Sequence, residues 1–158
     1  MSKVDKLLKE NISDDGTVVN LRDKFLGIRG MMELATNSAL ANVRELVLPG
    51  NQCADEGAEA LANSPHLGNL EMLNLNHNDI GDEGAKAIAE SEIFSNLRTL
   101  NLKSNRIGDD GARCLANSKT LKNLRSMQLV VNDLSEEGEK ALRNSTALVS
   151  LSSLKFRV

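Results

Sequence analysis

The chain has 158 residues, 41% hydrophobic and 26% charged, and carries a net charge of −3 from 19 Lys and Arg against 22 Asp and Glu. That balance describes a folded, water-exposed protein and excludes the basic footprint needed to grip a nucleic-acid backbone. Without Trp or Tyr and with only three Phe there is no stacking platform for bases, and no apolar run approaches the ~18–20 residues of a membrane-spanning helix.

In chain order, residues 2–10 read as a short amphipathic helix with Ser2 as its cap and Val4, Leu7 and Leu8 on one face. Residues 1–16 are therefore expected to form an N-terminal capping helix and linker. Met1 to Asn11 has Lys and Glu where a secretory leader needs an apolar stretch, so a cytoplasmic location is expected.

From residue 17 a strict period of 27 takes over. Lys24, Asn51, Asn78, Asn105 and Asn132 mark it, and Val19, Leu46, Leu73, Leu100, Met127 and Leu154 follow the same step. A second apolar series (Leu21, Leu48, Leu75, Leu102, Leu129, Phe156) runs two residues later, and Gly30, Gly57, Gly84, Gly111 and Gly138 form a glycine column. So many aligned columns define an array of one unit, about five repeats and a final strand over residues 17–158.

One unit, residues 70–96, shows how each folds. Leu73 and Leu75 alternate with Asn74 and Asn76, the mark of a short strand with one buried face. After Asn78 and Gly81, the residues Ala85, Ile88 and Ala89 recur at helical spacing, and Phe94 and Leu97 lead the chain back to the next strand. The asparagine column (Asn51, Asn78, Asn105, Asn132) reads as a buried structural ladder, because a side-chain amide can satisfy the backbone groups that the inward turn leaves without partners. Asp55-Glu56, Asp82-Glu83, Asp109-Asp110 and Glu136-Glu137 read as preceding each helix, where they cap its free amides, rather than as a metal site. A glycine in the first turn costs about 1 kcal/mol against Ala, so its recurrence implies close approach of a neighbour where a Cβ would clash.

Cys53 and Cys114 lie in different columns more than two repeats apart and read as small buried hydrophobes; His66 and His77 read as surface residues. No column combines a nucleophile, a base and an orienting acid, so no catalytic residue, no metal ligand and no cofactor is expected. Two departures stand out. In the first unit Lys24 replaces Asn, Ile28-Arg29 replace the acidic pair, and Phe25 occupies a column otherwise filled by Gln52, Asp79, Arg106 and Asp133. In the last, Leu154 to Val158 read as a strand with no helix after it, an edge without an evident cap that either belongs to a longer chain or meets a partner or a second copy.

The pattern Leu-x-x-Leu-x-Leu-x-x-Asn-x-Ile-Gly-Asp-Glu-Gly-Ala, read from Leu70 to Ala85, resembles a leucine-rich repeat, and its Gly-Asp-Glu-Gly-Ala segment is most similar to the ribonuclease-inhibitor type. The resemblance covers about residues 17–158 and implies a right-handed α/β solenoid, an open arc with parallel strands on the concave face and helices on the convex face. It also implies a non-catalytic module for binding a protein. Because the Ran GTPase-activating protein carries such arrays, GTPase regulation is an alternative, and assembly through the C-terminal edge is another.

Strands ~4.7–4.9 Å apart and helices ~8–10 Å apart cannot stack as flat layers, so the array bends with its strands inside. The inner surface is then made by the residues between the buried leucines: Glu45, Met72, Thr99 and Ser126; Val47, Asn74, Asn101, Gln128 and Lys155; Asn76, Lys103, Val130 and Arg157. These columns vary while the buried ones do not, which points to partner recognition. Met72, Val47, Val130 and Val131 are expected as exposed apolar contacts, and Lys103, Lys155 and Arg157 as a basic half that favours an acidic patch on the partner. The expected partner is a protein, with no nucleic acid or membrane, and the chain itself is expected to be a monomer or a weak edge-mediated homodimer.

Overall fold

The computed structural model describes residues 1–157; Val158, read above as the end of the last strand, lies outside the described residues. Helix α1 (Lys3–Asn11) comes first, followed by β1 (Val18–Asn20), α2 (Gly27–Ala35), β2 (Glu45–Val47), α3 (Ala54–Ala62) and β3 (Met72–Asn74). The same alternation continues through α4 (Asp82–Glu90), β4 (Thr99–Asn101), α5 (Asp109–Ala116), β5 (Ser126–Gln128), α6 (Glu136–Arg143) and β6 (Ser153–Lys155). The six strands form one open parallel sheet in chain order. Its register puts Val19 beside Leu46, then Leu73, Leu100, Met127 and Leu154, each one repeat further on. Every unit crosses back through a helix or helical turn, and the architecture is an open α/β solenoid.

Each strand is three residues long because a single apolar–polar alternation is followed at once by the turn. Both leucine columns turn inward to meet the helices, and Leu46, Leu48, Leu73, Leu75, Leu100 and Leu102 are fully buried. Over the first unit lies α1. Ser2 Oγ accepts from the Asp5 amide and the Asp5 carboxylate from the Ser2 amide, a reciprocal cap. Val4 and Leu8 are buried against the core, and the Asp5 carboxylate accepts from the Asn37 side-chain amide at 2.9 Å.

Three polar ladders lock one unit to the next. The Asn51 amide group donates to Leu21 O at 2.8 Å and Leu48 O at 3.0 Å, while the Asn51 and Cys53 backbone amides donate to Asn78 Oδ1 at 3.0 and 3.2 Å. Asn78 stands in the same relation to Leu48 and Asn105, and Asn132 serves Leu102 and Ile107. The carboxylates behave differently from the expectation that each caps its own helix. Asp55 Oδ1, on the first turn of α3, accepts from the Gly81 and Gly84 amides at the start of α4, at 2.7 and 2.9 Å. Asp82 does the same for Gly108 and Gly111, and Asp109 for Ser135. The helices pack side by side with their N-termini level, so an aspartate reaches the next helix's free amides more readily than its own. That reach explains the glycine column: a Cβ on Gly84 would lie 2.6 Å from Asp55 Oδ1 and 2.7 Å from Ile80 Cγ2. The third ladder is of serines. Ser64, Ser91, Ser118 and Ser145 each donate to a carbonyl at the C-terminal end of the preceding unit's helix, at 2.5 Å, on Ala35, Ala62, Ala89 and Ala116 respectively.

A concave candidate interaction face

The strands present their non-leucine residues on the side away from the helices, in rows set by the register. Glu45, Met72, Thr99 and Ser126 form one row, and Val47, Asn74, Asn101, Gln128 and Lys155 the next. Glu45 and Lys155 are exposed; Val47, Met72, Asn74, Thr99, Asn101, Ser126 and Gln128 are half-buried. On a concave surface side chains from adjacent rungs converge, so even residues that face solvent lose part of their exposure.

The column one step later departs from the expectation. Asn76 and Lys103 are half-buried, but Val130 is only 6% exposed, whereas Val131 reaches solvent as expected, at 61%. Val130 lies on the converging side of the arc, where neighbouring rungs crowd together, and its carbonyl is still held in the ladder by the Ser104 amide at 2.8 Å. Arg157 is likewise not a free concave cation. Its Nε lies 3.5 Å from Glu139 Oε1, and Arg143 reaches the other carboxylate oxygen at 3.0 Å while stacking 5.3 Å from the Phe156 ring centre. Glu139 stands in the column of Ala58, Ala85 and Ala112, on the buried side of its helix, and is only 6% exposed. A carboxylate so placed is costly unless paired, which draws both guanidiniums to it. The C-terminal edge therefore carries a polar cluster that the sequence reading did not anticipate.

The inner-face asparagines are partly committed to the frame. Asn74 Oδ1 accepts from the Asn76 amide and Asn101 Oδ1 from the Lys103 amide, both at 3.0 Å, so each braces the end of its own strand. Their NH2 groups form no hydrogen bond to the described residues, and the buried Asn76 Oδ1 has no donor there either.

Sequence reasoning also missed two residues at the rim where strands begin. Position 44 of the repeat is Arg44, then Glu71, Arg98 and Arg125. Arg44 pairs with Glu71 at 3.5 Å, while Arg98 and Arg125, exposed and adjacent to Thr99 and Ser126, have no carboxylate in ion-pair range among the described residues. The 27-residue step alone could have shown this charged column and the two successive arginines in it. With Lys103 and Lys155 on the face itself, they make the half of the array that holds β4 to β6 the more positive.

The thiols are not reactive groups. Burial pushes the Cys53 thiol up to about 12, and burial also raises that of the half-exposed Cys114; both are free. Among the described residues no group of three or more His, Cys, Asp or Glu is arranged to hold a metal ion, and no helix is long and apolar enough to cross a membrane.

A hydrogen-bonded frame of stacked strand–helix units with a variable inner surface makes this an open α/β solenoid. The family model described as "Leucine Rich repeat" matches residues 39–62, 66–89 and 95–116, three consecutive units of the array. No curated protein matches the chain.

Proposed function

We propose that the protein is a non-catalytic interaction module that captures an acidic region of another protein on its concave face. Leucine-rich repeats commonly bind protein partners, and the rigid frame described above leaves the inner residues free to vary without loss of fold. The observation that carries the proposal is a cluster of cations in one half of the array. Lys103 and Lys155 on the inner face and Arg98 and Arg125 at its rim form no ion pair among the described residues, while Arg44 at the other end of that rim is paired with Glu71. Two cations on the face and two at its rim steer an acidic surface toward it and fix its register.

In this reading the subtype is the ribonuclease-inhibitor-like one, the protein works in the cytoplasm as a monomer or a weak edge-mediated homodimer, and neither nucleic acid nor membrane is its target. Charge reversal of Lys103, Lys155, Arg98 and Arg125 together tests it, with affinity capture from a native lysate as the readout. Proteins retained by the native chain should be lost from the variant, with thermal unfolding nearly unchanged. Retention of the same proteins by a folded variant would refute the concave site.

A further inference from the structure

The rim where the strands begin carries a like-charged pair that the fold does not need. In the column of Arg44, Glu71, Arg98, Arg125 and Ser152 the first two rungs alternate in sign and pair at 3.5 Å. The next two do not alternate. Arg98 and Arg125 are direct neighbours, the Arg125 amide donating to the Arg98 carbonyl oxygen at 2.9 Å. Both side chains are exposed, and neither has a carboxylate in ion-pair range among the described residues. Rungs of a sheet lie ~4.8 Å apart, and like charges so close repel, at a small cost in stability.

The two arginines face one groove, which Asn69, Asn96, Asn123 and Ser150 also line. Arg44 and Glu71 stand at its other end, so three guanidiniums against one carboxylate leave the groove doubly positive. The asparagines form a column of their own, one repeat apart. Asn69, Asn96 and Asn123 each give one amide hydrogen to a carbonyl of the preceding unit, on Ala41, Gly68 and Ser95, at 2.9, 2.8 and 2.9 Å respectively. Those bonds hold the side chains in place, and the second amide hydrogen of each has no acceptor among the described residues.

Two forked guanidiniums with fixed amide donors beside them make a receptor for an oxyanion. Charge decides which one. A single carboxylate neutralises one arginine, as Glu71 does for Arg44, and would leave the other in excess. A phosphomonoester carries about −1.5 to −2 at neutral pH and three acceptor oxygens, enough to bridge both. An anionic bilayer fits less well, because it would meet Glu45 and Glu71 on the same rim.

We propose that Arg98 and Arg125, with Asn96 and Asn123 beside them, clamp a phosphorylated side chain of the partner protein. The site deepens the concave reading and rests on it for the protein that bears the phosphate; the clamp itself needs only these four residues. The probes are phosphoserine and glutamate, each blocked at both ends, titrated into the isotope-labelled full chain and followed by nuclear magnetic resonance. Blocked phosphoserine should bind at least tenfold more tightly than blocked glutamate and shift the side-chain signals of the four residues. Arg98→Gln with Arg125→Gln, both at exposed positions, should leave the fold intact and abolish that binding. Lys103→Glu with Lys155→Glu should weaken it by less than about threefold, because those lysines do not line the groove and solvent screens them. A concave face that captured no partner would leave this titration unchanged, so the two failures are told apart. Equal affinity for the two probes, no saturation in the millimolar range, or loss of binding in the lysine variant but not the arginine one would overturn the proposal. So would binding to vesicles containing phosphatidylinositol phosphate, if the arginine variant abolished it, since the phosphate would then be a lipid's.

Discussion

Replacing Asn78 with Ala tests the ladder where it is most enclosed. Four hydrogen bonds are removed: two made by its NH2 group to Leu48 O and Asn76 O, and two accepted by Oδ1 from the Asn51 and Cys53 amides. The two carbonyls keep other donors, since Leu48 O still receives the Asn51 side chain and Asn76 O the Gly50 amide. The two backbone amides do not. Each stranded buried donor costs about 1–3 kcal/mol, and with some relaxation the pair should cost about 2–4 kcal/mol. In a domain of this length ~1 kcal/mol lowers Tm by ~2–4 °C, so a fall of about 4–16 °C is expected. Asn132→Ala is the internal comparison: its Oδ1 serves only the Ile107 amide and the residue is part-exposed, so about 1 kcal/mol should be lost. Urea unfolding followed by circular dichroism measures both. Equal losses for the two variants, or a loss below about 0.5 kcal/mol for Asn78→Ala, would refute the reasoning that enclosure of the turn amides gives the ladder its value.

Other perturbations probe the remaining contacts between units. Gly84→Ala should destabilise by about 1–2 kcal/mol in thermal unfolding, the reverse of the ~1 kcal/mol gain usual for Ala in a helix, because its Cβ would displace the Asp55 carboxylate 2.6 Å away. The Asp109 carboxyl is held below its usual range by the Ser135 hydroxyl and amide. Its folded value being depressed, it stabilises the fold above the ordinary carboxylate value and loses that contribution as pH falls through the depressed one. Ser135→Ala should therefore flatten the acid limb of a stability-versus-pH curve and leave its alkaline limb unchanged. Glu139→Ala, which restores the residue of the three preceding units, should change stability by less than about 1 kcal/mol, whereas Arg143→Ala with Arg157→Ala, which strands a buried carboxylate, should cost on the order of 2–3 kcal/mol by chemical denaturation.

Much of this was legible because each unit solves the same packing problem. The rungs Val19, Leu46, Leu73, Leu100, Met127 and Leu154 pair in the register that a 27-residue step demands. What stayed hidden was direction. A period says that Asp55 recurs as Asp82 but not that its carboxylate serves the following helix, since both helix starts lie within reach of one side chain. The serine ladder was equally periodic, yet a small polar residue after a helix reads as an ordinary turn until its carbonyl partner is seen. On the candidate face, alternation identifies which side a residue faces but not how far curvature covers it, which is why Val130 was misjudged. Arg157 was misplaced for another reason: its partner Glu139 departs from an alanine column, and an isolated exception carries no periodic signal. Likewise Phe25 stands out against its polar column, whereas Met32 on an amphipathic helix passes for core until its exposure is measured.

Spin labels along the inner face give the most direct measurement of the stacked architecture. Labels at Asn20 paired in turn with Asn101, Gln128 and Lys155, separated by three, four and five strands of the sheet, should give distances that rise in order, by about 5 Å per strand, to roughly 24 Å. Distances from pulsed electron resonance that fail to increase in that order would mean the strands do not lie side by side in sequence, and no concave face would exist to bind anything.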